Sequence, residues 1–219
     1  MDQLSDLRQA ILTGDTTAAA EAARAALTAG VAPVDVIAEG ISPAMAEVGR
    51  LFEEGEYFVP ELLISARATK EVFAILQPLL AETGAKPTGR VLMAAVEGDL
   101  HDIGKNLVGA MLEGAGFEVV DLGVDIPAPR LVLAVREAHP QIVGLSALLT
   151  TTMPAMKAAL DALDEAGLRP EVKVMVGGAP VTQRYADSIG ADGYGETATA
   201  AVNLARALMG PQNIDASRG

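Results

Sequence analysis

The residues best suited to chemistry lie in Glu97-Gly-Asp-Leu-His-Asp-Ile-Gly-Lys-Asn106, which holds one of only two histidines in the chain. Asp99 and Asp102 flank His101, and Gly98 and Gly104 enclose the group. An imidazole beside carboxylates is placed to bind a metal or to move a proton near neutral pH. Spacing rules out several rival readings. A phosphate-binding loop needs four residues between its first glycine and a Gly-Lys pair, then Ser or Thr. Here five residues separate Gly98 from Gly104, and Asn106 follows Lys105. The Gly-x-Gly-x-x-Gly fingerprint of dinucleotide sites is absent. A lone Mg²⁺ could sit on Asp99 and Asp102, but it would not need His101. Zinc would want three protein ligands. The second histidine, His139, precedes Pro140 at the start of a strand, which places it at the opposite sheet edge as a surface residue.

These residues need a scaffold, and hydrophobic patterning supplies one. Before His101 runs Val91–Val96, an apolar run of buried-strand length; after it Ile103, Leu107, Met111 and Ala115 recur at helical spacing. Beyond a linker at residues 82–89, strand-like segments at 91–95, 118–122, 142–145, 172–176 and 192–194 alternate with helical ones near 103–115, 128–138, 153–166, 181–189 and 197–209. Five βα units predict a parallel sheet covered on both faces. The first, third and fourth segments are almost uninterrupted apolar runs, which predicts central strands. Before the linker the pattern is wholly helical, with Leu4, Leu7 and Ile11, then 17–29, then a stripe from Val34 to Phe52, then Leu62 to Leu80. That is enough for a four-helix bundle. Pro43 lies inside the third stripe and is expected to kink or split it. The predicted domains are therefore 1–86, helical, and 87–219, a flavodoxin-like (Rossmann-type) α/β domain with five parallel strands.

Composition narrows the partners. The 219 residues carry a formal net charge of −13, half are hydrophobic, only 3% are aromatic, and none is cysteine. Disulfides, thiolate metal sites and a cysteine nucleophile are excluded. The negative charge repels phosphate backbones and anionic lipid, so neither nucleic acid nor a membrane is expected as a partner. The segment Ile142–Met156 is too short and too interrupted by hydroxyls to span a bilayer. The opening Met-Asp-Gln-Leu-Ser-Asp has no signal-peptide character. A cytoplasmic protein is expected.

Small and polar residues follow four of the strands: Gly98–Gly104, Ser146–Thr152, Gly177-Gly178-Ala179-Pro180 and Tyr194–Ala198. All four loops leave the same sheet edge, and ligands bind at that edge in open α/β sheets. The expected picture is one large ligand gripped by these loops, with a single histidine meeting it. Thr152, Ser146 and Thr150 also suit helix N-caps, and Glu53, Glu54 and Glu56 suit a solvated loop.

Asp99-Leu-His-Asp-Ile-Gly104 resembles the Asp-x-His-x-x-Gly motif of cobalamin-binding domains. Ser146-x-Leu148 and Gly177-Gly178 match that family's second and third signatures, in order. The helical part is similar to the cap module that precedes this domain in methionine synthase and in small corrinoid methyl-carrier proteins, through Met45, Gly49, Phe52 and Glu54–Pro60. The resemblance implies a methyl carrier that binds cobalamin, as methylcobalamin and cob(I)alamin in turn. His101 would be the lower axial ligand to cobalt, Asp99 would accept a hydrogen bond from its other ring nitrogen, and Thr152 would extend that relay. Gly98, Leu100, Asp102, Ile103, Gly104, Ser146, Leu148, Thr150, Gly177, Gly178, Ala179 and Ala198 would contact the cofactor. Phe52 and Val59 would cover its methyl face, or else form bundle core. The implied partners are a substrate:corrinoid methyltransferase acting on methanol, methylamines, betaines or methoxylated aromatics, a second methyltransferase using tetrahydrofolate or coenzyme M, and a reductive activase. Such a chain turns over nothing alone. The alternatives are a cobalamin-dependent sensor or regulatory module, disfavoured by the acidic chain without a basic helix-turn-helix segment, and a mutase cobalamin subunit.

Overall fold

A computed structural model describes residues 4–83 and 87–210. They form two compact units, one comprising residues up to Thr88 with Asn106–Val119, the other Gly89–Lys105 with Val120 onward.

The helical segments are α1 (Ser5–Thr13), α2 (Thr16–Thr28), a single turn α3 (Pro33–Asp35), α4 (Ser42–Glu53) and α5 (Val59–Thr83). Asp15 starts α2 by accepting the Ala18 N–H at 2.9 Å. Leu7, Ile11, Val36, Ile41, Leu62 and Leu76 are fully buried and supply the interior of this part. The tyrosine Tyr57 is tied in by its hydroxyl, which donates to the Leu12 carbonyl at 3.1 Å. Glu53, Glu54 and Glu56 are exposed, with Glu54 paired to Arg50.

Pro43 does not split the third rod. Between α3 and α4 lies a π turn, Val36–Ile41, whose last bond runs from the Ser42 N–H to the Ile37 carbonyl, five residues back. In an α-helix the Glu39 carbonyl would accept from residue 43, which as proline has no N–H. Arg8 fills the gap: its Nη1 donates to the Glu39 oxygen at 2.8 Å.

The strands are β1 (Arg90–Ala95), β2 (Glu118–Asp121), β3 (Ile142–Ser146), β4 (Lys173–Gly177) and β5 (Gly193–Gly195), in the order β2-β1-β3-β4-β5. The helices between and after them are α6 (Ile103–Gly114), α7 (Ala128–Ala138), α8 (Met153–Glu165), α9 (Gln183–Ile189) and α10 (Ala198–Met209). This is the flavodoxin-like order that the alternating pattern predicts, and β1, β3 and β4 are central and buried. Leu92, Val143, Leu145, Val174 and Val176 of these strands form one core cluster with Leu131 of α7 and Met156, Leu160 and Leu163 of α8. His139 ends α7 in a left-handed conformation and is exposed before β3, away from the C-terminal strand ends.

Asp192 sits at the N-terminal side of the sheet, where it accepts from the Val174 N–H at 2.8 Å and pairs with Arg169 at 2.6 Å and Lys173 at 3.1 Å. Burial alone would raise its pKa; the bonds from Val174, Lys173 and Arg169 outweigh that and lower it. A carboxylate with a depressed folded-state pKa contributes stability above its unfolded value, about pH 4, and loses it as the pH falls towards the folded value. Asp192→Asn should therefore cost about 1–2 kcal/mol at pH 7 and progressively less as the pH falls below about 4. Thermal melts above and below that value check this, and an equal loss at each would refute it.

Candidate functional site

The sheet register builds the site's floor. Ala95, Ser146, Gly177 and Gly195 stand side by side at the C-terminal ends of β1, β3, β4 and β5. Past β1 the chain turns sharply: the Asp99 N–H donates to the Val96 carbonyl at 3.0 Å, and Gly98 has φ +82° at the third position of the turn. That is a type II turn, which calls for glycine there. It presents Asp99 inward and carries the chain out to His101 ahead of α6.

Asp99 is fully buried and every donor around it is aimed at its carboxylate. Oδ1 accepts from the His101 backbone N–H at 3.0 Å and lies 2.8 Å from His101 Nδ1. Oδ2 accepts from the Leu148 N–H at 2.6 Å and from the Thr152 hydroxyl at 2.7 Å. Burial pushes its pKa up, but the bonds from Thr152, Leu148 and His101 prevail and hold it well below the usual carboxylate range. Asp99 is thus an anion at any physiological pH, and an anionic carboxylate can only accept. The proton between the pair therefore sits on Nδ1 of His101, and Nε2 keeps its lone pair. The ring is half exposed while Asp99 is sealed, so that lone pair is open to a ligand.

Around this nitrogen the surface is apolar. Leu100 (70% exposed), Ile103 (68%), Leu148 (42%) and Leu149 (44%) present aliphatic side chains to solvent. Gly98, Asp102, Gly104, Thr150 and Ala179 are exposed, and Ser146, Gly177 and Gly178 half-buried. Thr152 occupies the N-cap position of α8, yet its side chain does not cap the helix; it bonds Asp99 and, at 2.9 Å, the Leu149 carbonyl. Neither Ser146 nor Thr150 is the N-cap of that helix. Ala198 is buried in the first turn of α10, behind the N-cap Thr197. Phe52 and Val59 belong to the helical part, Phe52 in the last turn of α4 and Val59 at the start of α5, both half-buried.

Two contributors escape a motif-based reading. Lys105 is a buried cation whose Nζ donates to both carboxylate oxygens of Asp121 at 2.6 Å, and Asp121 Oδ1 also accepts from the Gly123 N–H. Asp125 bonds the turn at Gly98 and Asp99. Their signals were faint: a lysine next to Gly104, and an aspartate (one of the few types that tolerate positive φ) shortly before Pro127.

Chemically, the site offers one imidazole lone pair on an apolar ledge. Among the described residues no group of three or more His, Asp or Glu could hold a metal ion. A metal bound here must bring its other ligands with it.

The comparisons identify such a group. Two models of B12-binding domains match the sequence, over residues 89–203 and 3–77. A corrinoid protein of Desulfitobacterium hafniense is 44% identical over 213 residues, covering 96% of this chain and 99% of that one. Trimethylamine corrinoid protein 2 of Methanosarcina acetivorans is 47% identical, covering 94% of this chain and 96% of the relative. The chain belongs to the B12-binding corrinoid protein family. Among solved structures, the methanol:cobalamin methyltransferase complex of Methanosarcina barkeri matches with a TM-score of 0.82 at 36% identity, covering 95% of this chain and 80% of that one. A cobalamin-binding protein of D. hafniense matches at 0.75 and 36% identity, covering 94% and 98%.

Cobalamin fits the residues present. It carries its own equatorial nitrogen ligands, so a single protein nitrogen suffices. Its broad apolar faces suit a ledge of Leu100, Ile103, Leu148 and Leu149. Among the described residues no helix is long and apolar enough to cross a membrane.

Proposed function

We propose that this corrinoid protein carries a methyl group between a substrate-specific methyltransferase and a second methyltransferase, whose acceptor is tetrahydrofolate or coenzyme M, in the cytoplasm, with a reductive activase restoring the chain when its cobalt is oxidised. Two domains divide the task, 87–219 holding the cofactor and 1–86 acting as the cap. The observation that carries this reading is the buried Asp99 anion, which leaves His101 Nε2 as the one accessible donor on an apolar ledge.

Bound cobalamin supplies a cobalt that accepts and surrenders the methyl group. The chain's own residues do the rest. His101 Nε2 would hold the cobalt. Asp99 holds the Nδ1 proton and would fix the ring's orientation towards the cofactor, as second-layer carboxylates do for metal-bound histidines. Thr152 and the Leu148 N–H keep Asp99 charged. The Asp99 carboxyl itself resists protonation, so it would remain the acceptor of the Nδ1 proton whether or not the cofactor is bound. Gly98, Leu100, Asp102, Ile103, Gly104, Ser146, Leu148, Thr150, Gly177, Gly178, Ala179 and Ala198 form the binding edge. Phe52 and Val59 are the residues of the helical part that would shield a carried methyl group until delivery. Names of relatives favour a methylated amine or methanol as the donor class, with the choice made by the partner methyltransferase.

Reconstitution tests this. The wild-type chain should take up cobalamin and accept a methyl group after reduction to cobalt(I). His101→Ala should retain cofactor at reduced affinity and lose the absorption of the histidine-ligated form. An unchanged spectrum in that variant would exclude axial ligation by His101, and a chain that binds no cobalamin would remove the reading altogether.

A further inference from the structure

Asp125 lies in the loop between β2 and α7, exposed and outside the motif. Among the described residues only it and His139 have positive φ without being glycine, at +53° and +46°. The His139 conformation is that of a helix end; Asp125 ends no helix. Its left-handed backbone instead turns two polar groups towards one turn. Its N–H donates to the Asp99 carbonyl at 2.9 Å, and its Oδ1 accepts from the Gly98 N–H at 2.7 Å. In a type II turn the central peptide is flipped, so the N–H of the third residue points away from the turn's own hydrogen bond. Asp125 takes this leftover donor and also satisfies the carbonyl that follows. The loop around it is anchored on the same strand: the Ala95 N–H donates to the Gly123 carbonyl and the Ile126 N–H to the Ala95 carbonyl.

We propose that Asp125 is a positioning residue that straps the Val96–Asp99 turn and so aims the Asp99 carboxylate at His101 Nδ1, fixing the tautomer that leaves Nε2 free. Asp99 must meet four donors from three places in the chain, and its side chain starts from the backbone that Asp125 grips before and after it. A turn free to rock would spread Asp99 among those donors. The Nδ1 proton would then be shared with Nε2, the position that a free imidazole prefers. The effect on cofactor binding rests on the reading of His101 as axial ligand; the effect on the tautomer does not.

Three variants separate the strap from backbone strain. Asp125→Asn keeps an acceptor oxygen and tolerance of positive φ, Asp125→Gly keeps only the tolerance, and Asp125→Ala keeps neither. Nitrogen-15 NMR of the cofactor-free chain reads the His101 tautomer directly. The ratio of Nδ1–H to Nε2–H should fall about threefold to tenfold in Asp125→Gly and stay within about twofold of wild type in Asp125→Asn. After loading with hydroxocobalamin and reduction to cobalt(II), the fraction of EPR signal split by the nitrogen-15 of a labelled histidine ring should fall in the same order. A wild-type tautomer ratio in Asp125→Gly, or an Asp125→Asn variant as impaired as the glycine one, would overturn the proposal. If Asp125→Ala does not fold, the other two decide. If wild-type protein shows no splitting from nitrogen-15 histidine, ligation by His101 has failed, and the tautomer ratios still judge the strap.

Discussion

Asp99→Asn is expected to lower the melting temperature by roughly 5–10 °C, through a loss of about 2–4 kcal/mol, and to abolish the histidine-ligated cobalamin spectrum. The substitution is nearly isosteric, so its effect isolates polarity. Asp99 accepts from two backbone N–H groups, one hydroxyl and one imidazole nitrogen, two at each oxygen. Asparagine replaces one oxygen with an NH₂. In one orientation that NH₂ opposes the His101 backbone N–H and also drives the ring proton to Nε2, removing the lone pair the cofactor needs. In the other it opposes the Leu148 N–H, which has no freedom to turn; Thr152 alone can relax, because its hydroxyl already has the Leu149 carbonyl within 2.9 Å. Cofactor-free melts and absorption of the loaded protein measure the two consequences separately. A variant melting within about a degree of wild type, and still histidine-ligated, would mean that the carboxylate is not what sets the tautomer.

Gly178→Ala should be still more severe. Gly178 has φ +123°, and a Cβ there would lie 1.9 Å from the Ala147 carbonyl oxygen and 2.8 Å from its carbon. The obstacle is backbone and cannot swing away, since the Ala147 N–H is bonded to the Gly177 carbonyl and Ala147 is fully buried. A loss on the order of 3–5 kcal/mol follows from clash and strain together, with loss of cofactor retention because the β3 and β4 ends would part. Gly167→Ala is the control: its φ is +73° but nothing lies within 4 Å of the added atom, so it should cost only about 1 kcal/mol. Equal stability of the two variants would show that the close approach at Gly178 is dispensable.

The α/β half was readable because its signals are local. Uninterrupted apolar runs marked β1, β3 and β4 as central, and four of the strand ends were followed by clusters of small and polar residues. Asp99 and His101 are two residues apart, so their pairing could be expected from spacing and motif. Thr152, 53 residues away, could be expected only through the family resemblance, and the Leu148 N–H, 49 away, is a backbone donor that no periodicity encodes. Lys105 reads as an ordinary polar residue in a helix; only the fold reveals Asp121 beside it and makes burial tolerable. Asp125 was passed over because its importance lies in backbone conformation, which side-chain type reveals only weakly. Pro43 does interrupt regular helix spacing, as the local rule predicts, but the rod continues through a π turn, with Arg8 serving the carbonyl that lacks an N–H.

That relief makes the length of the rod from Pro33 to Glu53 a constraint of its own. A five-back bond accommodates one residue more than a regular helix would, and each residue of an α-helix advances the face by about 100°. Deleting a single residue between Val36 and Ile41 would close this turn to regular four-back spacing and set the Pro43 ring against the carbonyl four positions before it. Gaps in this stretch among related chains should therefore be rare, or coupled to the loss of Pro43, although nothing in the segment is charged enough or conspicuous enough to look indispensable.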